Sequence, residues 1–171
     1  HDMAGLPQSF VEAAKRAAAD QGLGEGKAIV TLARSSVEGF LTFSSRRDLR
    51  EQAFKAWIAR GASAGETDNR NIVSEVVALR SEYAQLMGFK SFAAFNLEDT
   101  MAKTPEAVHD LMTAVWSKAV ARAAEERDAL AAYARGQGEN ADIAPWDWRY
   151  FAEKVRKARY DLDEAELRPY L

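Results

Sequence analysis

Cysteine is absent from this 171-residue chain, histidine occurs twice and proline four times. Without cysteine there is no disulfide, no iron–sulfur cluster and no thiol nucleophile, a usage that fits a reducing, cytoplasmic setting. With histidine at only His1 and His109, imidazole-based metal sites and catalytic triads have almost nothing to draw on. No apolar run approaches the length of a membrane span, and no charged stretch followed by an apolar one opens the sequence. The net charge of −3 supplies no global basic field to hold nucleic acid or an anionic membrane.

What remains is ordinary for a globular protein. The chain is 47% hydrophobic and 29% charged, long enough to bury a core as one domain or as one lobe of something larger. His1-Asp2-Met3 reads as vector-derived, with the natural sequence starting at about residue 4. The other end, APWDWRYFAEKVRKARYDLDEAELRPYL (144–171), is rich in large apolar side chains where a natural terminus is usually polar. The expectation is that further chain follows Leu171.

Periodicity predicts a mainly α-helical fold with at most one short β-like segment, Lys27 to Leu32. A first helix is expected over residues 8–21, closed by Gly22 and Gly24. A brief one follows at Val37 to Phe43. Ser45-x-x-Asp48 resembles a capping box ahead of a helix with Leu49, Ala53, Ala56 and Trp57 on one face, ending at Gly61. The polar stretch 61–71 is a loop. The next helix carries Ile72, Val76, Leu79, Tyr83 and Leu86 at three-to-four spacing and ends at Gly88. Ser91 to Asn96 reads as an aromatic turn.

Thr104-Pro105 then caps and opens a helix of about 31 residues, roughly 46 Å. Its stripe is Val108, Leu111, Met112, Val115, Ala119 and Ala123, and it stops near Gly136. Asp147 is placed to cap a helix with Trp148, Phe151, Val155 and Ala158 on one face. Asp163-x-x-Glu166 would start a last one, with Pro169 soon after.

Chemistry is scarce. Glu106-Ala-Val-His109 has the Glu-x-x-His spacing of helical di-iron proteins, but those need it twice with two further glutamates; His109 reads as a surface or capping residue. There is no His-Glu-x-x-His, no Gly-x-Ser-x-Gly, and no phosphate-loop or dinucleotide glycine pattern in GLGEG (22–26). Serines 35, 36, 44 and 45 read as turn and cap residues. Lys154, Arg156, Lys157 and Arg159 follow Glu153 closely enough for local ion pairing. The aromatics Trp146, Trp148, Tyr150 and Phe151 sit at helical spacing, which favours core over a ligand platform.

The stretch WDWRYFAEKVRKARYDLDEAELRPYL (146–171) resembles the segment before the catalytic core in the thimet-oligopeptidase family of zinc metallopeptidases, which includes oligopeptidase A and the bacterial peptidyl-dipeptidases. LRSEYAQLMGFKSFAAFNLEDTMAKTPEAV (79–108), FLTFSSRRDLREQAFKAWIARG (40–61) and TDNRNIV (67–73) are similar to passages of that family in the same order. The likeness runs from about Leu6 to Leu171. KAIVTLARSSVEG (27–39) departs from the pattern, which has an aromatic near Ala28 and a proline near Ser36.

The resemblance implies a two-lobed, mostly helical, channel-forming metallopeptidase that admits short peptides. It implies a zinc held by His-Glu-x-x-His and a later glutamate, all beyond Leu171. Residues 4–171 would then be a non-catalytic helical region forming channel wall. No residue of this chain inherits a catalytic, cofactor-binding or metal role. Its partners would be short peptides and the downstream catalytic region, and neither nucleic acid nor membrane. The rival reading is a stand-alone helical scaffold or interaction domain.

Overall fold

A computed structural model describes residues 2–160. The expected last helix at Asp163–Glu166, Pro169 and the terminal Tyr170-Leu171 lie outside the described residues, as does His1. Among the described residues there are seven helices and no strand: α1 (Gln8–Asp20), α2 (Arg34–Phe43), α3 (Arg47–Ile58), α4 (Arg70–Leu86), α5 (Phe92–Leu97), α6 (Pro105–Gly136) and α7 (Trp148–Tyr160). Two compact units result. One gathers the chain up to Ile58 with the chain from Glu126 on; the other is Ala59–Glu125.

The first unit is built on α2, which lies against α3 and α7. Val37, Phe40 and Leu41 are buried on it, so a ten-residue helix spends its whole apolar face on neighbours. α1 comes close because Gly39 has no side chain: a Cβ there would sit 3.0 Å from the Phe10 ring. Phe10 tilts over Phe40 with centroids 6.4 Å apart, and Ala14 and Ala18 are buried behind it. Gly22 at φ 71° takes the left-handed conformation that lets the Leu23 N–H reach back to the Ala18 carbonyl at 3.0 Å, closing α1 as glycine closes helices generally. The Lys27–Leu32 run forms no ladder. Its Ile29 N–H donates to the Ala14 carbonyl at 2.9 Å and its Thr31 N–H to Ser36 Oγ at 3.1 Å, so it is pinned as a linker.

A second cluster joins the end of α6 to α7. Leu130, Ala134, Tyr150 and Phe151 are buried together, with Tyr133, Ile143, Trp148, Ala152 and Val155 half-buried against them. This bears out the aromatic segment as core. Ala158, expected on the same face, is exposed.

Two local expectations fail for identifiable reasons. Ser45 does not start α3 as a capping box: its N–H is already given to the Ala4 carbonyl at 2.9 Å, and Asp48 is held by Arg46 at 2.9 and 2.7 Å. The helix begins at Arg47. Ser91 opens a short helix instead of a turn, its hydroxyl accepting the Ala94 N–H at 3.1 Å, which is the ordinary serine N-cap.

In the second unit, α5 packs on α4 through Tyr83 and Phe95, whose rings meet edge-on at 5.1 Å. Gly88, at φ 84°, closes α4 with the Phe89 N–H on the Ala84 carbonyl at 2.9 Å. Thr104 caps α6 as expected, its hydroxyl accepting the Ala107 N–H at 3.2 Å. The predicted stripes of α4 and α6 are another matter. Ile72, Leu79 and Leu86 are 57%, 55% and 85% exposed, and Leu111 and Val115 are 69% and 59% exposed. A six-residue α5 is too short to cover a 17-residue helix.

Depth of burial ranks the α7 aromatics. Phe151, 2% exposed, should cost about 3–5 kcal/mol when cut to alanine. Half-buried Trp148 should lose clearly less, about 1–3 kcal/mol, on the same change. Urea titration of the two variants checks the order.

Candidate functional site

The most elaborately built group of polar side chains lies in the first unit, between SRRDLRE (45–51) and PWDW (145–148). Asp147 is fully buried and Arg50 is 1% exposed. Arg50 Nη2 donates to Asp147 Oδ1 at 2.8 Å, its Nη1 to the Ser44 carbonyl at 2.7 Å and its Nε to the Trp146 carbonyl at 3.2 Å. Arg47 adds Nη2 to Oδ2 at 2.8 Å and Nε shared between both oxygens at 3.2 and 3.0 Å. The Ala144 N–H completes the shell at 3.2 Å from Oδ2. Tyr150 lies under the Arg50 guanidinium at 4.0 Å, and Trp146 faces Arg47 at 5.7 Å.

Asp147 was expected to cap α7. Its backbone does so, the Phe151 N–H donating to the Asp147 carbonyl at 3.0 Å, but its carboxylate is turned onto the two arginines. The hydrogen bonds that Arg47 donates to Asp147 raise its pKa above the usual value, against the effect of partial burial. With both oxygens occupied by donors, the carboxylate has no lone pair free to bind a metal or take a substrate proton. The group is a clamp, built to fix α3 against the start of α7.

Arg50 is what the periodicity missed. Of the face read from the sequence, Leu49, Ala53 and Trp57 are half-buried and Ala56 is exposed; the structure adds half-buried Phe54 and, deepest of all, Arg50. A readable signal was the paired arginine spacing, 47 and 50, opposite an aspartate flanked by two tryptophans.

The other candidates stay apart. His109 is exposed, with Nδ1 3.8 Å from Asp110. Arg156 pairs with Glu153 at 2.8 and 2.7 Å, and Lys154 stands over Tyr150 at 4.7 Å, as expected for a basic run folded onto its own helix. Ser36 and Ser44 accept backbone N–H groups of Thr31 and Arg46. Among the described residues no three of the His, Asp and Glu side chains gather into a metal-sized group. An open cavity of about 320 Å³ between Phe10, Ala14, Ala17, Ile29, Thr31 and Ser36 has no carboxylate or imidazole in its lining.

Because the Arg50–Asp147 pair is buried, removing one partner strands the other. Asp147→Ala should destabilise by about 3–5 kcal/mol, whereas Arg50→Met combined with Asp147→Leu should cost much less. Denaturant unfolding of the wild type, the single and the double variant tests this.

Asp48 makes a different, exposed pair. The hydrogen bonds from Arg46 hold its carboxyl below the usual range. A folded pKa below the unfolded one means a contribution present above the ordinary carboxylate range and lost as the pH falls below it. Arg46→Ala should therefore move the Asp48 titration upward, read from its side-chain carboxyl carbon by NMR.

Comparison with known proteins supplies what the geometry alone does not. Residues 40–171 match peptidase family M3. Dipeptidyl carboxypeptidase of Escherichia coli is 34% identical over 168 residues, covering 98% of this chain and 24% of that protein. Oligopeptidase A of the same organism is 34% identical over 173 residues, covering 99% and 25%. The probable cytosolic oligopeptidase A of Arabidopsis thaliana is 31% identical, again over 99% and 25%. The chain spans about a quarter of the length of these relatives. By the extent of the family match and by these identities, the chain belongs to peptidase family M3.

Proposed function

We propose that this chain is the non-catalytic helical region of a zinc-dependent, cytoplasmic metallopeptidase that hydrolyses short peptides, as an oligopeptidase or a peptidyl-dipeptidase. The observation that carries the reading is the family match over residues 40–171, together with relatives named as dipeptidyl carboxypeptidase and oligopeptidase A that align with nearly all of this chain. That match favours a peptidase over a stand-alone scaffold. No helix among the described residues is long and apolar enough to cross a membrane.

The donor set speaks for a zinc site outside these residues. A catalytic zinc takes three protein ligands drawn mostly from histidine, cysteine and carboxylate. This chain has one internal histidine and no cysteine, and its best-ordered carboxylate is already saturated by arginines. When bound, zinc would acidify a water and polarise the scissile carbonyl. The role left to this chain is mechanical: a rigid helical wall that helps shape a channel and keeps folded proteins from the metal.

The test is hydrolysis of short quenched-fluorescent peptides. The chain alone should give no zinc-dependent turnover, and the uninterrupted reading frame of its gene should give chelator-sensitive cleavage. Chelator-sensitive cleavage that stays with the 171-residue chain through further purification would refute the wall role. A longer product with no peptidase activity would refute the functional reading.

A further inference from the structure

Large apolar side chains stand exposed along both α4 and α6. At 100° per residue, Ile72, Val76, Leu79, Tyr83 and Leu86 of α4 fall within an arc of about 100°, the width of a face that a helix normally turns to a core. Their exposures run from 38% at Val76 to 85% at Leu86. The charged side chains of α4 stay off that arc, and Arg80 is drawn aside over the Phe92 ring at 5.1 Å. On α6, Leu111, Met112, Val115, Trp116 and Val120 are each 49% or more exposed. A side chain worth about 1.5–3 kcal/mol on burial carries roughly 60–120 Å² at about 25 cal/mol/Å². Ten of them, about half uncovered, leave on the order of 500 Å² of apolar surface summed over the two faces. That is about the apolar share of one side of a standard interface.

We propose that these two faces are where the remaining region of the M3 polypeptide packs onto this one. The inference rests on the functional reading above, and it names the surface and its occupant. Two observations select that occupant. First, the α4 arc is apolar without a charged or amide group inside it, the character of a core cut in two, while the broader α6 face sets Arg122 and His109 among its five large apolar side chains. Second, the relatives that match nearly all of this chain are about four times its length, so their polypeptide has ample further mass to cover such a surface. The partner is thus chain of the same protein, carrying apolar side chains complementary to α4 and α6, and the contact is permanent.

The absence of cysteine makes the surface directly measurable. Leu79→Cys and Val115→Cys each place a single thiol of this region on one face. Its alkylation rate is followed by peptide mass spectrometry, in the dilute 171-residue chain and in the product of the uninterrupted reading frame. Both thiols should react fast in the short chain and be slowed by about a hundredfold or more in the long one, as expected of groups exposed only by local opening. Equal rates in the two proteins would overturn the proposal. So would thiols already protected in the short chain and released by dilution, since a second copy would then be the occupant. A reading frame confined to this chain would overturn it as well. Peptide cleavage by the same long product separates the outcomes: cleavage with unprotected thiols sinks the docking surface and leaves the peptidase reading standing.

Discussion

A carboxylate sealed from water must be met by donors on every side, and Asp147 is met by two arginines and a backbone N–H. Removing such a charge from solvent costs several kcal/mol, recovered only when the geometry is complete. Completeness here requires several segments to arrive together. Arg50 brings α3, its contact with the Ser44 carbonyl brings the end of α2, and its contact with the Trp146 carbonyl brings the entry to α7. Tyr150, lying under the same guanidinium, sets the rotation of α7, and the next residue, Phe151, thereby meets Leu130 and Ala134. The apolar core of the first unit is registered by this one polar contact. Glu38 acts in the same direction at the rim, accepting from Arg34 on its own helix and Arg149 on α7.

Where a local signal has a single physical meaning, the sequence reading and the structure agree. Thr104-Pro105, Gly22 and Gly88 each mark a helix boundary by a constraint that neighbours do not alter. Ser45 shows the limit. Its pattern with Asp48 was sound, but a capping box needs two backbone groups to be free, and Ala4 and Arg46 had claimed the partners. The face of α3 was read incompletely, for another reason. Counting only apolar residues hides a helix whose most deeply buried side chain is an arginine, and a buried guanidinium is legible only when its counter-ion, 97 residues away, is already known. On α4 the periodicity was read correctly and the stripe exists; what covers it is not a property of that stripe.

Site and family were legible by different routes. Residue chemistry excluded thiol, triad and His-Glu-x-x-His catalysis within these residues, and it stopped there. The family resemblance came from ordered passages, among them the Trp146–Leu171 segment and the stretch around Arg47 and Arg50. Those passages hold the clamp. Residues that make a family recognisable can thus be the ones that register its helices, with no part in bond breaking.

The separation between Arg50 and Asp147 also sets a clock during synthesis. With 97 residues between them and a ribosome adding about 5–20 residues per second, the arginine waits roughly 5–20 s for its counter-ion to be made. Until then α3 has no reason to bury that side, and Phe54 and Trp57 stay open to solvent beside it. The nascent chain therefore passes through a period in which its amino-terminal helices can form but cannot lock.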